Sequence, residues 1–137
     1  MTTLFINGSP NKNGNTVALA KKLLGDQSFE TLHLADYKIY DYGQDFSDDQ
    51  FEEVLAKLFE ADTIVIGSPV YWHSINGLVQ NFLDRQYNRV EEQLNGKVLY
   101  FIFQGSAPTQ EVLDLGNYTM SRYAGLYGMN YKGMITR

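Results

Sequence analysis

Three runs, residues 3–6, 63–66 and 98–103, are apolar, partly β-branched and free of polar alternation, the pattern of strands covered on both faces. Such strands belong at the centre of a parallel sheet, where neighbours need crossover connections that are usually helical. The intervening segments supply them. Val17, Ala20 and Leu24 share one helical stripe, and Phe51, Val54, Leu55 and Leu58 share another. The spacing predicts a third helix over residues 75–85, with Ile75, Leu78, Val79 and Phe82 inward. A fourth starts near Thr109, just after Pro108, and turns Val112, Leu113, Met120, Tyr123 and Tyr127 inward. Residues 29–34 alternate and suit an edge strand, and residues 130–136 form a closing strand. Gly25 suits the end of the first helix, and Ser47-Asp48-Asp49-Gln50 has the form of a capping box for the second.

The order β-α-β-α-β-α-β-α-β, with no repeat or linker, predicts one α/β domain over residues 1–137 built on an open parallel sheet of order 2-1-3-4-5. Right-handed crossovers then put the first helix on one face and the next three on the other. A fifth helix covering the first helix's face is absent, so strands four and five are expected to leave apolar side chains exposed. Val98, Tyr100 and Ile102 face one way there, and Leu99, Phe101 and Phe103 the other. A second copy of the chain, making a homodimer, is the expected cover; truncation is the competing account.

Eleven basic against 16 acidic residues, net −5, form no basic stripe and predict no nucleic-acid partner. With no cysteine, disulfides, thiolate nucleophiles and Cys-ligated metals are excluded; only His33 and His73 carry imidazole, and no metal site is expected. The longest apolar run is far short of a membrane span and no signal pattern opens the chain, so a cytoplasmic protein without a membrane partner is expected.

The chemistry is concentrated in the loops that follow the central strands, because ligands of such sheets bind at the carboxyl ends of the strands near the switch in strand order. After strand one comes Asn7-Gly8-Ser9-Pro10-Asn11-Lys12-Asn13-Gly14-Asn15-Thr16, which leads straight into a helix. The free N–H groups of a helix N-terminus carry the positive end of its dipole and suit a phosphate. Gly8 and Gly14 allow backbone to approach a ligand, Ser9, Asn11, Asn13, Asn15 and Thr16 add donors, and Asn15 is also a good N-cap. The same residues suit a merely capped βα turn. After strand three, Gly67-Ser68-Pro69-Val70-Tyr71-Trp72-His73-Ser74 puts two aromatics where a flat ligand can stack, or where a loop or subunit contact is made. After strand four, Gln104-Gly105-Ser106-Ala107-Pro108 brings small residues and backbone N–H groups to the rim. A phosphate nest, an aromatic shelf and an amide-lined rim describe a mononucleotide with a large planar ring, and flavin mononucleotide (FMN) fits best.

Gly8-Ser9-Pro10 with Asn13-Gly14-Asn15-Thr16, then Ser68-Pro69-Val70-Tyr71-Trp72, then Asn81-Phe82-Leu83-Asp84-Arg85 match in order and spacing, and through them the chain resembles the flavodoxin-like NADPH-dependent FMN reductases. The resemblance implies FMN held at its phosphate by Ser9, Asn11, Asn13, Asn15, Thr16 and Val17. It further implies Pro69, Val70, Tyr71 and Trp72 at the ribityl chain and ring, and Gly105 and Ser106 near the pyrimidine edge. Positions 11 and 80, basic in the family pattern, are Asn11 and Gln80 here.

The activity implied is an oxidoreductase taking hydride from NADPH or NADH through FMN to a small acceptor such as a quinone or a flavin. The chemistry is then the flavin's, with no catalytic protein residue: His73 reads as a surface residue, and Asp84-Arg85 as an ion pair at a helix end. A flavodoxin-type electron carrier without NADPH activity, and a remnant that only self-associates, are the alternatives of other classes.

Overall fold

The computed structural model describes residues 2–136; residues 1 and 137, the ends of the expected domain, lie outside it. The chain runs β1 (Thr3–Asn7), α1 (Asn15–Leu24), β2 (Glu30–His33), a 3-10 turn (Leu34–Asp36), α2 (Phe51–Glu60), β3 (Thr63–Tyr71), β4 (Ser74–Ile75), α3 (Gly77–Arg85), β5 (Val98–Gln104), α4 (Gln110–Leu126) and β6 (Asn130–Ile135). The sheet order is β2-β1-β3-β5-β6, with β4 attached to β3. Apart from that added strand it is the path the sequence predicts, and all five strands of the path pair in parallel.

Register explains the absence of polar alternation. Ile64 lies between Leu4 and Leu99, and Ile66 between Ile6 and Phe101. These side chains, with Phe103, enter the larger core beneath Phe51, Val54, Leu55 and Leu58 of α2, Val79 and Phe82 of α3, and Met120 and Tyr123 of α4. Phe5, Val65 and Ile102 point the other way, onto Val17, Ala20 and Leu24 of α1. One helix on one face and three on the other follow, as the crossover rule requires. Gly116 lets α4 settle on the sheet, because a Cβ there would lie 2.2 Å from the Phe103 ring.

On the α1 face the expectation that β5 and β6 leave apolar side chains exposed holds in part. Ile102 is fully buried, and Leu23, Tyr100 and Ile135 are half-buried around the same cluster. Helix α1 lies over β3 and β5, but no residue of β6 is fully buried, and Val98, Tyr100 and Ile135 keep part of their surface open.

Other expectations are corrected by local hydrogen bonding. Strand β3 does not stop at Ile66: it pairs onward with β5 as far as Pro69 opposite Gln104, then folds back so that Val70 and Tyr71 pair with Ile75 and Ser74. Ile75 therefore belongs to β4, and the third helix starts at Gly77. No capping box forms at α2. Asp49 instead accepts the Phe51 N–H at 2.8 Å and the Arg85 guanidinium at 2.5 Å, while Asp48 takes the Tyr40 hydroxyl and Lys38. Arg85 is thus the partner of Asp49 rather than of Asp84, which accepts from Gln80. Asn81 donates to the carbonyls of Ile39 and Tyr40, so the Asn81-to-Arg85 motif anchors the long segment between β2 and α2. Asn15 is the first residue of α1, with Gly14 in the N-cap position.

Candidate functional site

The loop after β1 holds its shape through its own side chains. The Gly8 N–H donates to Gly67 O at 2.8 Å, the Ser9 N–H to Asn7 Oδ1 at 3.0 Å, the Asn11 N–H to Ser9 Oγ at 3.0 Å, and the Asn13 N–H to Asn11 Oδ1 at 3.0 Å. Asn11 is therefore spent on the loop itself. Helix α1 behind it is left open: no side chain caps it, and the first bond onto its end runs from the Ala18 N–H to Gly14 O. The N–H groups of Asn15, Thr16 and Val17 consequently open outward as donors. By contrast, α3 and α4 are closed by Asn76 and Thr109, which accept from Val79 N–H and Val112 N–H. An uncapped helix with donors converging on its end is the arrangement that binds a phosphate. Lys12, the cation of this loop, is tied to Asp36 at 2.7 Å, so the nest is built from N–H and hydroxyl donors.

Beside it, β3 and β4 form a hairpin whose two turn residues, Trp72 and His73, both have positive φ, 50° and 60°. The twist of a two-residue hairpin demands this, and Asn-Gly meets it at least cost. A bulky residue held there stores about 1–2 kcal/mol. Trp72 is 94% exposed on the rim of a cleft of about 200 Å³ that Val70, His73, Gly105, Ser106, Ala107 and Pro108 complete. At Gly105 a Cβ would lie 3.0 Å from that of Val70, so a side chain there would close the cleft. Replacing the turn by Trp72→Asn with His73→Gly should raise stability by about 1–2 kcal/mol in chemical denaturation. An unchanged or lower midpoint would show that the turn is unstrained.

Among the described residues, six of the seven buried polar residues sit under this corner: Asn7, Ser9, Thr16, Ser68, Asn76 and Gln104. Buried polar groups are costly unless bonded, and among the described residues none lacks a partner. Gln104 at the end of β5 donates to Thr16 Oγ1 at 3.0 Å, which leaves the Thr16 hydroxyl proton free to point elsewhere. Asn7 divides its amide hydrogens between Asn11 O and His33 Nδ1. The loops after β1, β3 and β5 are thereby locked to one another from beneath.

The structure therefore places Ser9, Asn11, Asn13, Asn15, Thr16 and Val17 in the loop and first turn of α1, and Val70, Trp72, Gly105 and Ser106 around the cleft next to it. Pro69 is buried within β3, and Tyr71 is half-exposed on the hairpin; neither lines the cleft. The sequence reading left Asn7, Asn76 and Gln104 unassigned and gave Ser68 no role. Their signal was a polar residue at or near the point where an apolar run becomes a loop. Among the described residues no group of three or more acidic or imidazole side chains is placed to hold a metal ion, and no helix is long and apolar enough to cross a membrane.

An iron–sulfur flavoprotein of Archaeoglobus fulgidus is 40% identical over 99 residues, covering 62% of this chain and 48% of the relative. An iron–sulfur flavoprotein of Methanocaldococcus jannaschii is 32% identical over 113 residues, covering 72% and 58%. The chain thus spans about half the length of these curated relatives. Among solved structures, an NADH:FMN oxidoreductase in its apo form superposes with a TM-score of 0.73 at 25% identity, over 98% of this chain and 74% of that one. The sequence pattern of the NADPH-dependent FMN reductases matches residues 1–121. With the uncapped α1, the Trp72 hairpin and the parallel sheet in place, the chain belongs to the NADPH-dependent FMN reductase family.

Proposed function

We propose that the nest at α1 and the cleft beside Trp72 hold one FMN, and that the chain is an NAD(P)H-dependent oxidoreductase serving a small acceptor of the quinone or flavin class. The observation that carries this is the pairing of an uncapped α1 with an open, aromatic-edged cleft on the same corner of the sheet. The donor set fits the group. Ser9, Asn13, Asn15, Thr16 and Val17 offer hydroxyl, amide and N–H donors to a phosphate, Trp72 a face to a flat ring, and Gly105 and Ser106 backbone N–H groups to a ring edge. When held there, FMN would supply the hydride and electron transfer between a nicotinamide and a second substrate. The backbone donors at Gly105 and Ser106 would favour the negative charge that reduction of a bound flavin creates. The 137 residues contain no cysteine, so they supply no thiolate for the iron–sulfur cluster in the relatives' names. In the same reading two copies of the chain form a homodimer.

Equilibrium titration with FMN, followed by flavin fluorescence, tests the site. Saturable quenching at one flavin per chain, followed by NADPH or NADH oxidation in the presence of a quinone, is expected. Binding without NAD(P)H oxidation would favour the electron-carrier alternative, and a folded chain that leaves FMN fluorescence unchanged overturns the proposal. Ser9→Ala removes one hydroxyl donor and releases the Asn11 N–H, and should weaken FMN about tenfold, the worth of one hydrogen bond to a charged group. Unaltered affinity would remove Ser9 from the site.

A further inference from the structure

Asn76 takes part in neither the cleft nor the nest, yet it joins the elements that carry both. It is almost fully buried. Its Nδ2 donates to Gly8 O at 2.6 Å, its Oδ1 accepts the Val79 N–H at 3.2 Å, and its own N–H donates to Ser68 Oγ at 3.0 Å. The Ser68 hydroxyl lies 2.8 Å from Pro69 O and 3.3 Å from Asn76 Oδ1 and donates toward these two acceptors. The contact with Gly8 is 68 residues away in sequence and falls at the first peptide of the phosphate loop. The other side of that residue is held by its N–H on Gly67 O. Gly8 is thus clamped between β3 and the start of α3 in a space where a Cβ would lie 2.2 Å from Val79. The next N–H in the loop, that of Ser9, is the one aimed by Asn7.

We infer that Asn76 is a positioning residue for the phosphate end of the flavin: its Nδ2 sets where the Gly8-Ser9 backbone leaves β1, and so where the donors of the nest converge. An N-cap needs only an acceptor oxygen, which Ser, Asp and Asn supply equally well. The reach to Gly8 needs a second, donating arm. Asn alone has both at this length, so the cap and the tie are separable by substitution. The ring end is held independently, by the pairing of Val70 and Tyr71 with Ile75 and Ser74.

This inference rests on the FMN reading, and the experiment separates the two. FMN and riboflavin, which share the ring and ribityl chain and differ by the phosphate, are titrated into the wild type, Asn76→Ser and Asn76→Asp, with thermal melts of each. Asn76→Ser keeps the cap and loses the tie; it should melt close to the wild type, bind FMN about tenfold more weakly and bind riboflavin within about twofold of the wild type. Asn76→Asp puts an acceptor against Gly8 O and a charge beneath the nest, and should lose FMN about a hundredfold while keeping its cap. Wild-type FMN affinity in Asn76→Ser, or equal losses of FMN and riboflavin, overturns the positioning role. Failure of both variants to fold does so too, because Asn76 would then be a structural cap. A wild type that quenches neither flavin sinks the FMN reading itself, and this inference with it.

Discussion

Gly8→Ala is expected to cost about 2–3 kcal/mol of stability and to weaken FMN binding by about a hundredfold. The new Cβ would lie 2.2 Å from Val79 Cγ2 and 2.8 Å from Gly67 O. The first is a fully buried side chain of α3, and the second is backbone of the central strand, so neither yields by a simple rotamer change. Overpacking of this kind typically costs about 1–3 kcal/mol. Relief comes by moving the Gly8 peptide, which breaks its bond to Gly67 O and the one from Asn76 and swings Ser9 away from Asn7. Two displaced donors to a phosphate, at about 1.5 kcal/mol each, correspond to the hundredfold loss. Chemical denaturation and FMN titration of the variant read the two effects separately. Stability and affinity both within error of the wild type would mean that the loop has room the structure does not show.

Arg85→Leu is expected to cost about 3 kcal/mol at neutral pH, with the loss shrinking in acid. Arg85 and Asp49 are each 15% exposed, Arg85 also donates to Tyr40 O at 2.7 Å, and its guanidinium lies 4.7 Å from the centre of the Phe51 ring. Removing one member of a largely buried pair strands the other, which costs about 3–5 kcal/mol. Burial pushes the Asp49 carboxyl up. The Arg85 guanidinium and the N–H groups of Phe51 and Tyr40 together outweigh it and hold the carboxyl below its ordinary value. A carboxyl depressed in the folded state contributes stability above its unfolded pKa and loses it as pH falls through the folded one. In Arg85→Leu that contribution is gone, so the gap between wild type and variant should start to narrow below about pH 4, the unfolded value, and close only once the pH has passed the lower folded value. A pH-independent gap between the two denaturation curves would assign the loss to packing alone. Since Arg85 and Asn81 hold residues 39 and 40 in place, the variant should also expose this segment to proteolysis.

Much of the fold was legible because a single physical rule governed each element. Strands buried on both faces need no alternation, and residues 3–6, 63–66 and 98–103 show none; helices α1 and α2 bury the stripes that their spacing marks. Where two local rules competed, the sequence was ambiguous. Ser47-Asp48-Asp49-Gln50 satisfies the pattern of a capping box, but Arg85, 36 residues on from Asp49, claims that carboxylate. Residues 67–71 carry Gly, Ser and Pro and read as loop; pairing with β5 over residues 67–69 and with β4 at Val70 and Tyr71 turns them into strand.

The site divides along the same line. Sequence by itself determined the donors of the nest and the small-residue rim, since a loop between a buried strand and a helix needs Gly, Ser and Asn for reasons that are local to it. It also determined that no thiolate is available. Only the tertiary structure decided that Asn15 would not cap α1, that Trp72 and His73 would be held at positive φ on the rim of a cleft, and that Asn7, Ser68, Asn76 and Gln104 would lock three loops from below. The physical reason is reach. A buried side-chain hydrogen bond such as Asn76 to Gly8 or Gln104 to Thr16 joins residues 68 or 88 positions apart, and leaves no periodicity or spacing in the chain from which it can be read.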